Sequence, residues 1–187
     1  MNNSQKILSL MELARKQDPH PFSRLEKGKP VPKGREAVAG LVDKDKESAK
    51  TLLIQSAIYI CFDCFEEAHN IAQDHEGPAG NWLHAILHRR EPDAGNSKYW
   101  YARVKAPAKV YEDIGKKALA YLGESPLPEL EPLAKKMEKS KTWEPEAFVD
   151  LADKIRQKEK ASPAYRTLAK IQEIEWLGLV EFILSIQ

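Results

Sequence analysis

The chain has 187 residues, 42% hydrophobic and 30% charged, with a formal net charge of +1. That length supports one sizeable core, and those fractions belong to an ordinary globular protein. A charge this close to zero removes the electrostatic case for nucleic acid or an anionic membrane surface, and no apolar run approaches the roughly 18–20 residues a membrane span needs.

Taken in order, residues 4–17 place Ile7, Leu8, Leu10, Met11 and Ala14 at helical spacing. Residues 18–34 hold four prolines and two glycines, which predicts an extended arm anchored by Phe22 and Leu25. From about Asp45 one long helix is expected. Ile54, Ala57, Ile58, Cys61, Cys64, Phe65, Ala68 and Ala72 recur at i, i+3 and i+4, and at about 100° per residue they fill one sector. This should be the longest buried helix, bent near Asp63. Cys61 and Cys64 form a CxxC inside that apolar run with no second copy, so they read as small core residues rather than a redox or metal pair. The N-terminal residues lack the continuous apolar core of a signal peptide, so the expected location is cytoplasmic.

Gly77, Pro78 and Gly80 end the long helix, and a short one from Ala79 to Arg90 stops at Pro92. Asp93, or Asn96, then caps another through Arg103. Pro107 opens a segment with Val110, Tyr111, Ile114, Ala118, Tyr121 and Leu122 inward, closed by Gly123. Prolines 126, 128 and 132 lead into a charged, solvent-facing helix, LAKKMEKSK. Pro145 starts a helix through about Gln157. Ser162-Pro163, a cap followed by proline at the first helical position, starts the last one. Its apolar final turns predict burial on several sides, inside this chain or in a homodimer through this helix. No strand or hairpin signal occurs. The expected fold is all-α: a compact single-domain bundle of seven or eight helices spanning 1–187.

Chemistry concentrates in Glu66–Val104, which holds four of the five histidines and an Arg-Arg pair. Two helices joined by a tight turn invite comparison with the tetratricopeptide hairpin, which repeats about every 34 residues. Ala85 and Ser97 fall at its small positions and Tyr101 at its aromatic one, so a TPR-like central hairpin is expected. The helical wheel sends His84 and His88 to water, whereas that alignment turns them inward against Trp100 and Tyr101. Both hold if the polar face lines a cleft.

The runs EEAHNIAQD and WLHAILHRREPDAGNSKYWYARV resemble the signature of an uncharacterised family of bacterial proteins with fungal relatives. Its pattern is ESH, a Gly-containing turn, then WHAI-x-HRREPD-x-x-NAKYW-x-RRV. The resemblance covers about forty residues and departs at Glu67-Ala68, Ser97 and Ala102. It carries no assigned activity, so it implies a site without naming a function.

Two kinds of site fit these residues. The first is a cleft for a small anionic ligand, built from His69, His84, His88, Arg89, Arg90, Lys98 and Trp100, because arginine offers the planar fork suited to carboxylate or phosphate. The second is a divalent metal held by His84 and His88 at i, i+4 with the Glu66–His69 ExxH pair, a set that could activate water for hydrolysis. A third reading treats the chain as a helical interaction scaffold in which Arg89 and Arg90 merely lock neighbouring helices through Glu66, Glu91 or Asp93. No nucleophile elbow, P-loop or dinucleotide fingerprint is present, and enzyme status stays open.

Overall fold

The computed structural model describes Ser9, residues 12–14, Lys16 and residues 21–40, 48–157, 160 and 162–186. Most of the expected helix at 4–17, residues 18–20 of the arm and the expected helix start near Asp45 lie outside the described residues. Among the described residues every regular element is helical. Their buried apolar side chains form one contiguous core. No helix is long and apolar enough to cross a membrane.

The arm is shorter than its composition suggests. Phe22 and Leu25 are buried as anchors. Pro21–Ser23 is a 3-10 turn, and helix α1 (Pro32–Ala39) begins with Pro32 in its first turn, where a missing N–H costs nothing. Backbone and side chain stitch the arm down. Leu25 N donates to Tyr165 Oη (2.9 Å), Gln172 Nε2 to the Arg24 carbonyl (2.9 Å) and Lys27 N to the Arg90 carbonyl (2.8 Å).

The long helix expected from Asp45 to Ala72 is two helices. α2 (Ala49–Cys61) starts at Ser48, whose hydroxyl accepts from Thr51 N. α3 (Phe65–Gln73) follows after a break at Asp63, which lies at φ +54°. The apolar stripe runs on across the break because Phe62 and Cys64 are both buried. What interrupts the helix is an ion pair. Asp63 accepts from Arg24 Nη2 (2.7 Å) and Arg90 Nη2 (3.0 Å), and the Arg90 guanidinium also donates to the Ile60 carbonyl at the end of α2 (3.0 Å). Both CxxC thiols are buried and no disulfide joins them, and burial pushes the Cys64 thiol up.

α4 (Pro78–Arg90) and α5 (Ala94–Tyr101) form the central hairpin, and the Asp93 carboxylate caps α5 by accepting from Asn96 N (3.1 Å). Ser97 Oγ donates to the Ala85 carbonyl (2.8 Å), a close approach that the small residues at these two positions permit. α6 (Ala108–Glu124) and the 3-10 turn Pro128–Leu130 lead to α7 (Glu131–Ser140). α7 is not simply solvent-facing, because Leu133 and Met137 sit in the core. α8 is Pro145–Arg156 and α9 Pro163–Ser185, the latter capped by Ser162 and, at 23 residues, the longest helix in place of the one expected earlier.

α9 packs against α2, α4, α6, α8 and the 21–23 turn. Gly178 lets α6 come close, since a Cβ there would lie 2.5 Å from the Ile114 side chain. Most of the apolar surface of α9 is covered from within the chain. Of α9's large apolar side chains only Leu184 is exposed.

The Asp63 carboxylate is the nearest counter-charge to an Arg90 side chain with no exposed surface. Asp63→Ala should cost about 3–5 kcal/mol, the usual cost of stranding one partner of a buried pair. Urea unfolding should show the midpoint fall without loss of helical circular dichroism at zero denaturant. A loss under 1 kcal/mol would mean that the pair does not hold the α2–α3 break.

Candidate functional site

The residues singled out in the sequence separate into two groups. Arg89 and Arg90, adjacent on α4 and so about 100° apart around it, leave the helix in different directions. Arg89 is 2% exposed and donates through Nη1 to Glu175 Oε2 (2.6 Å) and Tyr101 Oη (2.5 Å), with its Cζ 4.7 Å from the Phe148 ring centre. Burial alone would weaken this guanidinium, but the Glu175 carboxylate and Tyr101 oxygen more than offset it, so its pKa is raised. Glu175 also accepts from Tyr101 Oη (2.6 Å), Trp143 Nε1 (3.1 Å) and Trp82 Nε1 (3.2 Å). Arg90 belongs to the Asp63 network, and burial, opposed by Asp63, lowers its pKa. Both arginines are thus committed to helix packing. Their acids are Glu175 and Asp63 rather than Glu66, Glu91 or Asp93. Lys98 pairs at the surface with Asp150 (2.5 Å).

The histidines come together. His69 on α3 meets His84 and His88 on α4 with ring centres 4.9 and 5.8 Å away, and His84 and His88 are 6.2 Å apart. His84 lies flat on Trp100, 4.2 Å between ring centres and 11° between planes. Of the two orientations the sequence allowed for His84, the inward one is adopted, and the side chain is 3% exposed. Burial first, then the charges its neighbours His69 and His88 would carry, push its pKa down to about 4, against a hydrogen bond to the Gly80 backbone. His88 is also lowered, chiefly by burial and opposed by Glu91. Glu66 is exposed on α3. Among the described residues, no group of three or more His, Cys, Asp or Glu side chains is placed so that it could hold a metal ion.

His84 and Trp100 form one wall of a cleft of about 380 Å³ whose lining also includes His75, Asn81, Tyr99 and Arg103. The turn before α4 closes tightly there. A Cβ at Gly80 would fall 1.8 Å from the His75 carbonyl oxygen, so any larger residue would push that turn off the helix. Asn81 Nδ2 donates to the Arg103 carbonyl (3.0 Å) and ties α4 to the end of α5. The Arg103 guanidinium lies over the Tyr99 ring at 3.4 Å and donates to the Tyr99 carbonyl. No carboxylate pairs with it among the described residues. Glu76 is the one acid lining the cleft, while Lys105 shares a neighbouring hollow with Gly77, Asn81 and Arg103.

The sequence singles out His84 and Trp100 as site residues, places Asn81 on the polar face with His84 and Arg103 only nearby in sequence, and gives no sign of His75. Helical spacing cannot show that the end of α5 folds back beside the start of α4. Glu175 was passed over too, although a lone acid amid the apolar turns of α9 is the available signal. No protein-family model matches the chain, and neither the curated proteins nor the solved structures give a significant match. The resemblance to the HRREPD-type signature therefore rests on its motif residues alone.

The low pKa of His84 makes stability pH-dependent. The folded state holds fewer protons than the unfolded one between pH 6.5 and about 4. The stabilisation is complete above the ordinary histidine value and is lost as pH falls through that window, by about 2 kcal/mol between pH 7 and 5. Urea unfolding at the two pH values should show this loss, and His84→Gln should reduce it. An equal loss in the variant would assign it to other groups.

Proposed function

We propose that the protein binds a small anionic molecule in the cleft between the start of α4 and the end of α5. The observation that carries this reading is Arg103, a cation that pairs with no carboxylate among the described residues, beside a cleft walled by buried His84 and by Trp100. Three features favour an anion over a neutral ligand. Arg103 supplies a guanidinium fork. The N-terminus of α4 at Gly77 carries the positive end of the helix dipole and has no side-chain cap. Lys105 adds charge from the neighbouring hollow. His84, neutral at pH 7, offers an imidazole hydrogen bond rather than a charge, and Trp100 and Tyr99 provide apolar surface for the rest of the ligand. The cation in this reading is Arg103, in place of Arg89 and Arg90. The role is binding, with no catalytic step assigned.

A thermal-shift and calorimetric screen of inorganic phosphate, phosphomonoesters and small carboxylates, on tag-free chelator-treated protein, tests this directly. At least one compound should stabilise the wild type. Arg103→Ala should weaken that binding by about tenfold or more, the loss of a charged hydrogen bond. Glu76→Gln should strengthen it by removing the opposing charge. No hit, or equal binding to Arg103→Ala, would sink the reading.

A further inference from the structure

We infer that the cavity between α6 and α7 binds a small apolar molecule with a cationic, hydrogen-bond-donating end, of which an alkylammonium ion is the type. The cavity holds about 430 Å³, within the roughly 300–1,000 Å³ usual for small-molecule sites. It shares no lining residue with the cleft at His84 and Trp100, so the inference is independent of the anionic-ligand reading.

The walls are apolar and come from three directions. Leu122 on α6 and Leu130 in the 3-10 turn are buried, with half-buried Ala134 facing them from α7. Pro126 and Pro128 form the third side and have no N–H to offer, while Leu130 N already donates to the Leu127 carbonyl (2.9 Å). Gly123, in the last turn of α6, lines the same space. It is not in the left-handed region, and a Cβ there would meet no atom within 4 Å. Neither backbone nor packing therefore calls for glycine at this position. Glycine is a poor helix former, so it weakens α6 locally while leaving that wall of the cavity open.

The polar side chains at the cavity are both acceptors. Glu131 and Glu138 lie on one stripe of α7 that passes through Ala134, about 10 Å apart along the helix. Glu131 pairs with Lys135 (2.8 Å) and Lys136 with Glu144 (3.7 Å), whereas no ion pair reaches Glu138 among the described residues. No lining side chain is a hydrogen-bond donor. An apolar molecule ending in a carboxylate would meet like charges and no donor. One ending in an ammonium group meets opposite charge and open acceptors, and that complementarity selects the cation.

The test is calorimetric titration of tag-free protein at pH 7 with octylammonium and with octanoate, two probes of one chain length, each kept below its micellar concentration. Octylammonium should bind once per chain with a dissociation constant below about 1 mM. It should bind about tenfold more tightly than octanoate, since attraction replaces repulsion at two exposed carboxylates. Glu138→Gln, a substitution at the surface, should narrow that ratio about threefold. Gly123→Leu, which places a side chain in the open space, should abolish binding while helical circular dichroism is kept. No uptake of octylammonium, octanoate bound as tightly, a ratio unchanged in Glu138→Gln, or full binding to Gly123→Leu would overturn the inference. A fall in molecular mass by light scattering on Gly123→Leu would also overturn it, because the groove would then belong to a second copy of the chain.

Discussion

The fold turns on one buried carboxylate. Glu175 has no exposed surface and sits midway along α9, where a charge taken out of water costs several kcal/mol unless its oxygens are filled. They are filled from three directions. Arg89, Tyr101, Trp82 and Trp143 all donate to it, and these residues belong to α4, α5 and the connection before α8. One side chain thereby fixes the central hairpin and the α8 approach against the last helix. Each donor is also a large core residue, so satisfying the charge and filling the volume are one act.

The Arg-Arg pair extends that logic to the other side of α4. Adjacent residues on a helix diverge, so Arg89 serves α9 while Arg90 serves the arm and the α2–α3 break through Asp63. α4 is held at two buried ion pairs in different layers. Such pairs define register strictly, because a slip of either partner strands a charge in apolar surroundings.

The candidate site inherits its rigidity from this frame. α4 carries His84 and His88 on a face turned from both ion pairs, and α5, tied down through Tyr101, sets Trp100 flat against His84. Charged side chains that drew notice in the sequence hold the structure, while two imidazoles and one less conspicuous arginine line the cleft. The cleft thus joins a wall of His84 on Trp100 to an Arg103 held over the Tyr99 ring.

The sequence by itself determined the all-helical class and most helix limits. Those signals are local: apolar spacing, proline in a first turn at Pro78, Pro145 and Pro163, and the caps Asp93 and Ser162 act within a few residues. Only the tertiary structure decided that the bend expected near Asp63 is a full break, and with it the inward turn of His84, the buried face of α7 and the commitment of both arginines. Arg90 finds Asp63 at 27 residues' separation and Arg89 finds Glu175 at 86. A helical pattern shows which side of a segment is apolar. It does not show which distant charge will meet a given side chain inside the core, and that meeting separated structural residues from those left facing a cleft.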